Sequence, residues 1–198
     1  MGNETDDKIL AFLYASITDI QSAIRVNDTK AAVVMGILVL ALSNTGKIYL
    51  NFSKLHQTVS CGTGQWQLWA LIMLFIVTWL AAFIAAIRAV MAIHNPASHV
   101  TATDRPSGTF YNGGLYELGF SDAFVARKKT SKVSLEAYVN KLPDSIEAIK
   151  QELVFEQMKL AYIRDMKAVR LKWAYILVMV WLGCGFWGRM FYLYHCSR

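Results

Sequence analysis

The stretch 144-DSIEAIKQELVFEQMKLAYIRDMKAVRLKWAYILVMVWLGCGFWGRMFYLY-194 decides how this chain folds, because it reads as one helix that begins in water and ends in lipid. Pro143 suits a first helical turn, Asp144 followed by Glu147 has the spacing of an N-terminal capping pair, and no Pro or Gly intervenes before Gly183. In the first half Ile146, Ile149, Leu153, Leu160, Ile163 and Met166 recur at helical spacing. They alternate with Lys150, Glu152, Glu156, Lys159, Arg164, Asp165 and Lys167, which predicts one buried and one wet face. After Arg170 and Lys172 the run from Trp173 to Gly188 is uncharged, and it closes on Trp187, Arg189, Phe191, Tyr192 and Tyr194, the pattern of a span meeting its far interface. At a rise of ~1.5 Å per residue, such a helix crosses a hydrocarbon core of about 30 Å and projects on the order of 40 Å beyond it.

The amino end repeats this design. Thr5 is placed to cap a helix with Asp6 and Asp7 in its first turn, and Ile9, Leu13, Ile17, Ile20 and Ile24 form one apolar stripe. No breaker separates that helix, residues 1–30, from a first span at 31–52, in which Lys47 snorkels outward. Residues 53–67, with Gly62 and Gly64 around Cys61, read as an outer loop. Trp66 and Trp69 mark an interface before the second span, 68–88, an uncharged run closed by Arg88, with Ala81, Ala82, Ala85 and Ala86 as a face for close helix packing. Residues 89–172 form a connection that is broken by Pro96, Pro106, Gly113, Gly114 and Gly119. It is too apolar, with Phe110, Tyr111, Tyr116, Phe120 and Phe124, to be a disordered linker, and it carries a short helix at Ser134 to Leu142 before the long one. The third span is 173–194 and the tail 195–198. The fold class is mainly α: an integral membrane protein with about three transmembrane helices, two of them extended into a cytoplasmic helical domain.

Composition agrees: 55% of the 198 residues are hydrophobic, only 3 are Pro, and the mean hydropathy is +0.34. The net charge of +6 is a matter of topology and not of nucleic-acid binding. About a dozen Lys and Arg lie between Arg88 and Lys172, against Lys54 alone in the outer loop, and every Asp and Glu falls on the same side as the dozen. The positive-inside rule then puts the amino end and the long connection in the cytoplasm and the carboxyl end outside, as in a multi-pass protein of a bacterial inner membrane. The acidic start, Met1 to Lys8, lacks the basic region of a signal peptide, and Asp6 breaks a myristoylation pattern, so attachment is expected to come from the spans. Cys61 and Cys196 would lie outside and could join, link subunits, or be free or unrelated thiols; Cys184 reads as a packing residue inside a span.

Catalysis has no support in the motifs. G-x-S-x-G, Walker, HExxH and GxGxxG patterns are absent, and the Cys and His residues have no metal-ligand spacing, so no catalytic residue, metal or cofactor is expected. The cytoplasmic side does hold cations and rings of the kind that receive a small anionic nucleotide, a Lys or Arg for phosphate and a ring for the base. Arg25, Lys30 and Arg88 flank the first two spans, and Phe110, Tyr111 and Tyr138 lie in the connection. Singly, such residues more often set topology or fill a core, and Arg127-Lys128-Lys129 with Lys132 reads as a solvated or headgroup-facing patch.

Two separated segments point further. Asp28-Thr-Lys30-Ala31-Ala32 at the entry of the first span resembles the D-x-K-A entry of the transmembrane Pycsar effectors, bacterial antiphage proteins. Gln157 through Lys167 resembles the Q-x(5)-I-x(3)-K helix before that family's last span. Pro106, Phe110-Tyr111 and Tyr138 between them are similar to its middle region. The resemblance covers roughly residues 20–183. It implies a receptor for a cyclic pyrimidine mononucleotide, cyclic UMP or cyclic CMP, made by a partner nucleotide cyclase. Binding then impairs inner-membrane integrity and brings growth arrest or cell death, an abortive infection. The residues it implies for ligand binding are Asp28, Lys30, Phe110, Tyr111, Tyr138, Gln157 and Lys167, to which Arg88 is added by its place at the inner mouth of the second span. Three spans enclose little water, so the active form is expected to be a homo-oligomer in the lipid bilayer. The competing reading is a membrane-anchored scaffold, or an accessory subunit of a transporter, whose cytoplasmic helices bind protein.

Overall fold

The structure is a computed structural model and describes residues 2–44, 46–47, 50, 53–54, 63–93, 95–101 and 131–196. Its elements, in chain order, are α1 (Gly2–Ser43), α2 (Thr63–Val90), a short 3-10 turn (Pro96–His99), α3 (Leu135–Val139) and α4 (Ile146–Cys196). Three of these helices are long and apolar enough to cross a membrane, over Glu4–Ser43, Gln65–Val90 and Ile146–Met190. The chain is an α-helical integral membrane protein.

Helix ends depart from the expected ones for local reasons. The cap of α4 is Ser145, whose Oγ accepts a hydrogen bond from the amide of Ala148 at 3.2 Å, and not Asp144; Glu147 instead serves Lys150. Helix α1 starts at Gly2, before Thr5, and α2 starts at Thr63, inside the segment expected as loop, so that Trp66 is already helical. Helix α3 is shorter than the expected 134–142, being capped by Ser134 Oγ and closed at Asn140. Most of the outer loop with Cys61, the connection over 102–130 with Phe110, Tyr111 and Arg127 to Lys129, and residues 45, 48–49 and 51–52 of the first expected span lie outside the described residues.

The chain divides into two compact units, residues 1–22 with 94–163 and residues 23–93 with 164–198. In the first, Leu13 and Ile17 of α1 pack on Leu153 of α4, flanked by Leu10, Ile149 and Leu160. These are positions of the two apolar stripes read from the sequence. In water each fully buried Leu or Ile there stabilises by about 1.5 to 3 kcal/mol. The predicted wet face of α4 is only partly wet, because Glu152, Glu156 and Lys159 are buried. Lys159 pairs with Glu156 and lies 5.0 Å from the centroid of the Phe155 ring, so its charge is compensated on the helix that carries it.

In the second unit α2 runs antiparallel to α1 and α4. Ala31, Val34 and Leu38 of α1, Ala82, Ala86 and Ala89 of α2, and Leu171, Ala174, Val178 and Trp181 of α4 form its core. Lipid is as apolar as these side chains, so close packing must replace the hydrophobic effect, and small residues permit it. The alanine stripe in use is Ala82, Ala86 and Ala89, with Ala85 packed against it, so three of the four expected alanines meet the core and Ala89 joins them. Gly185 and Gly188 serve the same end, since a Cβ there would lie 3.4 Å from Phe75 and Leu71. Trp79 Nε1 donates to the Leu38 carbonyl at 3.2 Å, and Phe75 meets Trp181 at 5.4 Å between ring centroids.

Candidate functional site

The sequence-predicted residues are shared between the units. In the first unit Gln157 and Ser16 pin α4 to α1 just beyond the Leu13, Ile17 and Leu153 core, Gln157 Nε2 donating to Ser16 Oγ at 2.7 Å. About two to three helical turns nearer the helix starts, Lys150 donates to Asp6 at 2.8 Å and to Glu147 at 2.9 Å. The bond from Asp6, then that from Glu147, raises the ammonium above its ordinary pKa of 10.5. Tyr138 sits half-buried on α3. His99, from the turn after α2, stacks on Tyr162 with centroids 4.4 Å apart and planes at 14°.

In the second unit the Lys167 ammonium, on a residue only 6% exposed, is held by the Asp28 carboxylate of α1. These residues are 139 apart in sequence and lie one turn before the apolar segments of their helices begin. Lys167 is thus a desolvated cation with a single carboxylate counter-ion among the described residues, an arrangement that tolerates exchange of that carboxylate for another anion but not its loss. Lys30 and Arg88, by contrast, have exposed side chains. The Arg88 carbonyl, at the carboxyl end of α2, accepts a 2.7 Å hydrogen bond from Arg170 of α4. Phe110 and Tyr111 lie outside the described residues.

Of the eight residues, Asp28 and Lys167 touch each other, while Gln157 is bonded to Ser16, a position that was not expected. Sequence reasoning also missed Asp6, Arg170 and the His99–Tyr162 stack. Ser16 was within reach, since it stands one residue before Ile17 on the buried side of α1; His99 was not, because nothing local announces a partner in α4. Among the described residues no group of three or more His, Cys, Asp or Glu could hold a metal ion, and Cys184 is a buried free thiol. What these groups offer is ion pairing and hydrogen bonding between helices.

The family model described as Pycsar effector protein domain matches residues 12–194. No curated protein and no solved structure matches the chain.

Proposed function

The chain belongs to the Pycsar effector transmembrane family, antiphage membrane effectors that answer a cyclic nucleotide signal from a cyclase, and from that premise we propose that its own signal is a cyclic pyrimidine mononucleotide whose binding makes it impair the inner membrane. The observation that carries this reading is Lys167: a buried cation, in the helix segment that resembles the family's, whose one counter-ion among the described residues belongs to another helix. A cyclic nucleotide presents one phosphate charge. Given to Lys167, that charge displaces Asp28 and removes a tie between α1 and α4 at the entrance to their apolar segments. Lys30, Phe110, Tyr111, Tyr138 and Gln157 are the other residues that the resemblance implies for the ligand, and their roles are open.

Helices α1 and α4 each run unbroken from polar into apolar sequence, so a change in the pairing of their polar parts is felt by the spans. The three spans found among the described residues enclose little water, so the active form in this reading is a homo-oligomer, with the amino end cytoplasmic and the carboxyl end outside. A reporter fused after Arg198 and active only in the cytoplasm would overturn that orientation.

Calorimetry of the detergent-purified chain against cyclic UMP, cyclic CMP and the purine cyclic nucleotides tests the proposal. Heat is expected with a pyrimidine nucleotide and not with the purines, and Lys167→Met is expected to abolish it. No heat with any of the four sinks the nucleotide reading and leaves the scaffold.

A further inference from the structure

Three independent contacts fix the register of the second unit. Asp28 meets Lys167, Trp79 meets the Leu38 carbonyl, and Arg170 meets the Arg88 carbonyl. With α1 and α4 parallel and α2 antiparallel, these contacts bring Lys30, Arg88, Arg170 and Lys172 to one level, each on or within two residues of the others' turn. The other end of the apolar segments is marked by Trp66, Trp69 and Trp187, with exposures of 76%, 48% and 68%. From Arg88 back to Trp69, and from Arg170 forward to Trp187, the rise is about 25 to 30 Å at ~1.5 Å per residue, one hydrocarbon thickness. The cations therefore stand at headgroup depth when the tryptophans stand at the opposite interface.

Their electrostatics are unbalanced. Lys30, Arg88 and Lys172 are exposed and Arg170 is half-buried, yet none of the four makes an ion pair among the described residues. The acids nearest in sequence are already taken, Asp28 by Lys167 and Asp165 by Arg164. The bond from Arg170 to the carbonyl of Arg88 moreover holds a guanidinium against the residue that carries a second one. Like charges gathered at a low-dielectric boundary repel unless an anion sits among them, and the anion present at that depth is a lipid phosphate.

We propose that Lys30, Arg88, Arg170 and Lys172 form a collar that binds the headgroup of an acidic glycerophospholipid in the leaflet where the apolar segments of α1 and α4 begin and that of α2 ends. The guanidinium of Arg88 and the free nitrogens of Arg170 take the phosphate in forked hydrogen bonds, while Lys30 and Lys172 supply unpaired charge that a zwitterionic headgroup cancels with its own ammonium. The collar takes up Lys30 and Arg88, two of the ligand-binding residues expected from sequence, but it needs neither Lys167 nor Asp28, and no nucleotide enters its test.

The test uses the full chain, delipidated in a neutral detergent, with phosphatidylglycerol and phosphatidylcholine of identical acyl chains added at equal concentration, the bound lipids being counted by native mass spectrometry. Phosphatidylglycerol is expected to be retained at least about fivefold over phosphatidylcholine. Arg88→Gln with Lys172→Gln, which leaves the Arg170 bond to the carbonyl in place, is expected to cut that preference at least threefold. Lys8→Gln with Lys47→Gln is expected to leave it unchanged. Inorganic phosphate at the lipid's concentration is expected not to displace phosphatidylglycerol. Equal retention of the two lipids, an equal loss in the Lys8 and Lys47 variant, or displacement by phosphate each overturns the proposal.

Discussion

The Asp28–Lys167 pair makes an asymmetric prediction. Lys167 is 6% exposed, whereas the Asp28 side chain is 38% exposed and half in water. Asp28→Asn strands an ammonium with no counter-ion where water cannot reach it. Breaking a fully buried pair costs about 3 to 5 kcal/mol, and partial hydration on the Asp28 side reduces this to roughly 1 to 3 kcal/mol. Lys167→Met leaves a carboxylate that can turn to solvent and fills the slot with an unbranched apolar chain, so its cost is expected below about 1 kcal/mol. The double variant, in which no ammonium is left stranded, should cost no more than Lys167→Met alone, a coupling of about 1 to 3 kcal/mol in the mutant cycle. Reversible unfolding by SDS in mixed micelles, followed by far-ultraviolet circular dichroism, reads all four proteins. If Lys167→Met costs as much as Asp28→Asn, or if the two add to within about 0.5 kcal/mol, Lys167 is not a desolvated cation awaiting an anion and the physical basis of the proposed phosphate site is gone.

Leu153→Ala removes a side chain with no exposure from between Leu13 and Ile17 and is expected to destabilise by about 2 to 5 kcal/mol in the same titration; a cost under 1 would mean that the two stripes do not pack. Ala86→Leu, at a residue with no exposure in the α2 stripe, should overpack the second unit by about 1 to 3 kcal/mol, while Ile84→Leu on an exposed position of the same helix should be close to neutral. The raised Lys150 ammonium adds stability that is complete below its unfolded value of 10.5 and lost as pH climbs through the higher folded one. Stability should therefore lose a Lys150-dependent part only above pH 10.5, and Lys150→Met should remove that part; a Lys150-dependent change between pH 6 and 9 would contradict it. Two glycines inserted between Arg170 and Leu171 are expected to leave nucleotide heats in place and abolish nucleotide-dependent growth arrest; undiminished arrest would refute transmission through α4.

The membrane character of this chain was legible from sequence because solvent preference is a property of composition along one dimension. The uncharged run after Trp69 and the change of pattern after Lys172 locate spans without any knowledge of neighbours, and the stripes that carry Leu13, Ile17 and Leu153 announce their packing face by period alone. Absence of Pro and Gly up to Gly183 likewise predicted one continuous α4. Tertiary structure alone decided the partners. Asp28 with Lys167 and Ser16 with Gln157 are separated by 139 and 141 residues, and a charge in sequence carries no label for the charge it will meet. Burial of Glu152, Glu156 and Lys159 was hidden for the same reason: polarity predicts a wet face until a neighbouring ring and counter-charge make a dry one tolerable. The collar of Lys30, Arg88, Arg170 and Lys172 needed both, since sequence supplies the cations and only the register of three helices brings them to one depth.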